Sequence, residues 1–158
     1  MITLGIDPGL KNIGWAVLKK CNEEINFIDG GVIISSSKST LSQRLLYIGN
    51  ELEKILNIYL PQNIGIEKIF VNINNKSSMD LAQARGAIIY VLSKNTINNG
   101  YIEEYSPNSI KKIITGNGHA NKLQVQDILK YSIPNLPQGK QHDFYDAVAI
   151  ALCRILFL

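Results

Sequence analysis

Ile2 to Ile6 is a short apolar run stopped by Asp7-Pro8-Gly9, a pattern that predicts a strand followed by a turn. Ile13 to Leu18 and Ile25 to Ile34 read as two further strands, the last one broken by Gly30-Gly31. Their closeness in sequence predicts an antiparallel meander. The period then changes. Leu41, Leu45, Ile48, Leu52, Ile55 and Leu56 recur at helical spacing, with Ser39 or Thr40 as the cap and a helix to about Tyr59.

Pro61 closes that helix, and Ile64-Gly65-Ile66 predicts a short strand that delivers Glu67. A second long helix is expected from Ser77 to about Lys94, and a strand from Ile102 to Tyr105. Shorter helices, Pro107 to Ile114 and Asn121 to Tyr131, flank a Gly116-Asn117-Gly118 loop. The last element, Gln141 to Leu158, reads as a mostly apolar helix. This order predicts an α/β fold with a mixed five-stranded sheet and helices on both faces. The unit from Ile25 through Ile64 would be a right-handed crossover if its strands are parallel neighbours.

The 158 residues fit one domain, 1–158, and 46% hydrophobic residues make it globular. The net charge of +3 permits a polyanionic partner without demanding one. Cys21 and Cys153 lack zinc-ligand spacing and read as apolar fillers in a reducing compartment. The N-terminus lacks a signal-peptide pattern, and no apolar run reaches membrane-spanning length. A cytoplasmic protein with no membrane partner is the expectation.

Only thirteen residues are Asp or Glu, and four are placed unlike the rest. Asp7 and Glu67 each end an apolar strand. Asp143 and Asp146 open the apolar last helix at i, i+3, on one helix face. Strand ends in α/β sheets converge on one edge, where sites form. Four carboxylates meeting there would repel one another, and divalent cations with hard oxygen ligands, magnesium or manganese, would relieve the repulsion. A pair of such ions hydrolyses phosphodiesters, one activating water and the other stabilising the leaving oxygen. Each acid alone has a plainer reading: a turn for Asp7-Pro8-Gly9, a solvated strand end for Glu67, first-turn helix charges for Asp143 and Asp146. The combination favours the site.

Five segments together resemble the RuvC family of Holliday-junction resolvases. They are Ile6-Asp7-Pro8-Gly9, Ile66-Glu67-Lys68-Ile69-Phe70, Leu81-Ala82-Gln83-Ala84-Arg85-Gly86, the stretch from Gly116 to Gln126 with its Lys122, and Asp143-Phe144-Tyr145-Asp146-Ala147-Val148-Ala149-Ile150-Ala151. They cover nearly the whole chain in the family's order and spacing. The resemblance implies an RNase H-like fold and a homodimer that nicks four-way junction DNA in paired, symmetric fashion during recombination and repair. It implies Asp7, Glu67, Asp143 and Asp146 as catalytic acids and metal ligands for Mg2+, with Mn2+ as a substitute. A branch-migration motor complex is the implied partner.

The resemblance also gives roles to other residues. Phe70, on an Asn-rich stretch, is expected to stack on an unpaired base; its alternative is a core anchor. Lys122 would stabilise charge near the scissile phosphate, or be a surface lysine. Lys111, a better match than Lys112, would contact phosphates. Arg85 would bind DNA or form an ion pair on the long helix. The helix near Ser77 to Lys94 is apolar on more than one face, which fits a dimer interface or burial between layers.

This chain departs from the family's pattern at Ile73, where many relatives carry a basic residue; either Lys68 or Lys76 supplies the charge or that contact is lost. His142 stands where a small residue is common in the family; it would approach a metal or have no role, and the second is the expectation. Two other readings remain: an RNase H-like nuclease on another substrate such as an RNA–DNA hybrid, and a non-catalytic module that binds branched DNA.

Overall fold

The computed structural model describes residues 1–69, 76–95 and 101–158. Strands β1 (Ile2–Asp7), β2 (Asn12–Cys21) and β3 (Glu24–Ile34) form the antiparallel meander. Helix α1 (Leu41–Tyr59) leads to β4 (Asn63–Glu67), and α2 (Lys76–Asn95) precedes β5 (Tyr101–Tyr105). Helices α3 (Pro107–Thr115), α4 (Lys122–Ser132) and α5 (His142–Leu156) complete the chain. The sheet order is β3-β2-β1-β4-β5, with β4 parallel to both β1 and β5. The mixed five-stranded sheet is therefore as the pattern predicted.

Two details differ from the sequence reading. The strands β3 and β4 are not neighbours, because β4 pairs with β1. The unit from Ile25 through Ile64 thus passes over β2 and β1 to reach β4. Nor do Gly30 and Gly31 break β3. The strand runs through them, and a β-carbon on Gly30 would lie 2.8 Å from the ring of Phe144. The glycine pair makes room for an aromatic packed on the sheet. The irregularity lies instead where the β2–β3 register shifts between Val17 and Leu18.

Caps set the helix starts. Thr40, rather than Ser39, accepts from the Gln43 amide and completes a capping box on α1. Ser106 caps α3, and Asn121 forms a second capping box with Gln124 on α4. The α5 helix starts at Gln141 without any side-chain cap.

Strand alternation divides the core in two. Leu4, Ile6, Ile64 and Ile66 pack with α1 and α2 on one face. Gly5, Asp7, Gly65 and Glu67 therefore point to the opposite face, where α3, α4 and α5 pack. The apolar, fully buried faces of α5 include Ala147, Val148, Ile150 and Ala151.

Candidate active site

Asp7 and Glu67 end adjacent parallel strands, one residue beyond the paired Ile6 and Ile66. Adjacent strands stand about 4.8 Å apart. The two carboxylates are thus held together by sheet register.

The first turn of α5 reaches this edge because the sheet beneath it lacks side chains. Asp7 pairs across β1–β2 with Gly14. An ideal β-carbon on Gly14 would lie 1.9 Å from the Asp143 carbonyl oxygen and 3.3 Å from the Asp7 β-carbon. One helical turn on, a β-carbon on Gly5 would lie 2.2 Å from the Ala147 carbonyl oxygen. Any side chain at either place would lift the helix off the sheet. Gly5 and Gly14 therefore bring Asp143 and Asp146 to the edge that carries Asp7 and Glu67.

The acids respond to one another as an unneutralised cluster would. Burial, then the charges of Glu67, Asp146 and Asp143, push Asp7 up from 3.8 to about 8, against the opposing pull of Lys122. Burial and then Asp146 push Glu67 up from 4.5 to about 7, against Lys122 and Lys111. All four predicted acids are thus close enough to interact.

Lys122, the first residue of α4, donates to the Asp146 carboxylate at 3.2 Å. Burial alone would lower its pKa, but Asp146, Asp7 and Asp143 outweigh that and hold the ammonium above its usual range. A cleft of about 200 Å3 opens here, lined by Glu67, Lys111, Lys122 and Asp146 over Ile110, Val125 and Ala149. Lys111 faces this cleft. Lys112 turns away to a separate groove with Ile113 and Phe157.

Among the described residues, no three Asp, Glu, His or Cys side chains close a ready-made metal cage. The donor set nonetheless suits magnesium. That ion keeps several waters and is held by one or two carboxylates together with substrate phosphates. Burial first, and the neighbouring carboxylates second, disfavour the charged forms of Asp7 and Glu67, a cost that a hard divalent cation would offset.

Other predicted residues fall differently. Phe70 lies outside the described residues, as do Asn72, Ile73, Asn74 and Asn75. Arg85 donates to Glu104 on β5 at 2.6 Å, the ion pair rather than a free DNA contact. On α2, Ala84, Ile88 and Leu92 are buried, the last two in the core shared with α1 and the sheet, while Met79 and Tyr90 are exposed. His142 is not idle. Its Nδ1 meets the Gln126 amide at 3.1 Å. Neither that contact nor the Gly14 seat is visible in spacing alone, because both join segments distant in sequence.

The family model for the crossover junction endodeoxyribonuclease RuvC matches residues 3–154. RuvC of Rickettsia bellii (strain RML369-C) is 42% identical over 151 residues, covering 96% of this chain and 94% of the relative. RuvC of Wolbachia sp. subsp. Brugia malayi (strain TRS) is 42% identical over 153 residues, covering 96% and 92%. In fold, the chain is similar to T. thermophilus RuvC in complex with Holliday junction substrate, with a TM-score of 0.88, 23% identity and 99% and 94% of the two chains covered. It is also similar to the yeast mitochondrial Holliday junction resolvase, with a TM-score of 0.66 and 15% identity over 97% and 77%. The sheet is therefore that of the RNase H-like resolvases, and the chain belongs to the RuvC family of crossover junction endodeoxyribonucleases.

Proposed function

We propose that this protein resolves four-way (Holliday) DNA junctions by paired, symmetric nicks, as a homodimer in homologous recombination and DNA repair. The observation that carries this reading is the meeting of Asp7, Glu67, Asp143 and Asp146 on one sheet edge, with Lys122 against Asp146. Residues 1–158 act as one nuclease domain.

The four acids hold Mg2+, with Mn2+ as a substitute, at about two ions per site; when bound, these supply Lewis acidity and charge neutralisation for phosphodiester hydrolysis. Asp7 and Glu67 are fixed by strand register, so the donors are in place before substrate arrives. Asp143 and Asp146 are fixed by the seating of α5 on Gly5 and Gly14. Lys122 presents an ammonium to the negative charge that develops on the scissile phosphate. Lys111, across the cleft, positions the DNA backbone by its charge. Phe70 stacks on a base at the junction.

The exposed stripe of Met79 and Tyr90 on α2, with Gly86 open between them, suits the dimer face. A two-fold dimer would put two identical sites on a symmetric substrate. A branch-migration motor is the expected partner, and the cytoplasm the expected location. Among the described residues, no helix is long and apolar enough to cross a membrane.

A synthetic four-way junction tests the reading. With magnesium or manganese, purified protein should nick opposing strands of the junction. Equal cutting of linear duplex would refute it, and preferential cutting of an RNA–DNA hybrid would move the chain to another substrate.

A further inference from the structure

Helices α4 and α5 meet at two rungs. Lys122 joins Asp146, and Gln126 joins His142. Each partner is four residues from the other on its own helix, so the rungs lie one turn apart on antiparallel helices. The first rung belongs to the acidic site. The second has no part in it: Gln126 is half-buried, His142 is exposed, and neither lines the cleft.

The two helix starts differ in how they are held. A capping box fixes the first turn of α4, which carries Lys122. The first turn of α5 carries Asp143 and Asp146, yet Gln141 offers it no side-chain cap. The preceding loop, Pro137 to Gln141, turns through Gly139 at φ 70°. Around this uncapped turn, Asp143 seats on Gly14, Phe144 and Tyr145 are buried in the core, Lys122 holds Asp146, and the Gln126 bond holds the first residue of the helix. Of these contacts, the Gln126 bond is the one made ahead of both acids, at the first residue of the helix. It adds a lateral brace from the second turn of α4 to the acid-bearing turn of α5.

We infer that Gln126 and His142 are positioning residues, a strut that transfers the fixed start of α4 to the acid-bearing start of α5. The inference rests on reading those acids as the catalytic site. The strut touches neither substrate nor metal. It sets the distance between the Lys122 ammonium and the Asp143–Asp146 pair, and so acts on the rate of nicking rather than on junction affinity. The bond needs an acceptor at the Nδ1 position when Gln126 donates its amide. The Oδ1 of asparagine sits the same number of bonds from the backbone and offers the same acceptor.

The experiment measures single-turnover nicking of a four-way junction with saturating magnesium, and junction affinity separately. The variants are Gln126→Ala, His142→Ala, the double variant, His142→Asn and Asp7→Asn. Each alanine variant should slow nicking roughly fivefold, the rate equivalent of one modest hydrogen bond, with affinity unchanged. The double variant should be no slower than the slower single, because one bond is lost in all three. His142→Asn should restore the rate. Singles that multiply in the double variant, or failure of His142→Asn to restore, would overturn the strut. Wild-type rates in both alanine variants beside a dead Asp7→Asn would overturn the strut alone. An active Asp7→Asn would overturn the site on which it stands, and the strut with it.

Discussion

The carbonyl oxygen of Asp143 occupies the space where a β-carbon on Gly14 would be, 1.9 Å from its ideal position. Gly14 also pairs with Asp7 across the sheet. One missing side chain therefore controls how near two of the four acids come. Gly14→Ala should lift the first turn of α5. Overpacking of this kind costs about 1–3 kcal/mol, or roughly 2–12 °C in melting temperature for a chain of this size. Nicking should fall further than the loss of folded protein explains. Thermal melts paired with nicking rates below the transition would show this, and an unaltered rate would disprove the seat.

Asp7 makes the metal-free protein sensitive to pH. Its folded-state pKa of about 8 lies above the unfolded 3.8, so folding takes up a proton between those values. Stability without metal should be highest at the acid end of that window and decline as pH rises towards 8. Asp7→Asn removes the penalty, and at pH 8 it should be more stable than wild type by an amount on the order of a few kcal/mol. Denaturant unfolding in chelator at pH 5 and pH 8 compares the two proteins. A wild type that gains stability over Asp7→Asn with rising pH would contradict the cluster.

Nicking should follow the same groups in the opposite sense. Glu67 at about 7 and Asp7 at about 8 must lose protons to hold cations. The rate at limiting magnesium should therefore climb as pH rises through 6 to 8. More magnesium should move the climb to lower pH, because cation and proton compete. A pH profile indifferent to magnesium concentration would count against these acids as its ligands.

Lys122→Ala should slow nicking by roughly 10- to 100-fold, since one charged donor near a developing phosphate charge is lost from a partly exposed position. Junction affinity should change far less. Arg85→Ala, by contrast, should leave nicking unchanged and cost roughly 1–3 kcal/mol of stability, because the mostly buried Arg85 side chain loses its packing and its pair with the half-exposed Glu104. A large loss of DNA affinity in Arg85→Ala would restore the DNA-contact reading.

Much of this was legible in the sequence because it is local. Alternation in Ile2–Ile6 and the short run before Glu67 give strands, and helical spacing from Leu41 to Leu56 gives α1. The strand-end acids followed from the same pattern. What escaped depends on distant segments. Gly30 reads as a breaker until Phe144 is seen packed against it. The choice of β1 rather than β3 as the neighbour of β4 is made by tertiary packing. His142 has no periodic signal that points to Gln126, and its bond exists only once α4 and α5 are docked. The RuvC motifs pointed to the four acids, whereas the glycines that let them meet became meaningful only in the fold.

The central claim is that Asp7, Glu67, Asp143 and Asp146 form one metal-dependent site acting on four-way junctions. It is tested most directly by nicking of a synthetic junction in magnesium by wild type and by Asp7→Asn, Glu67→Gln, Asp143→Asn and Asp146→Asn. Each single variant should still bind the junction and should lose nearly all nicking. Wild-type nicking by any one of the four would contradict the claim.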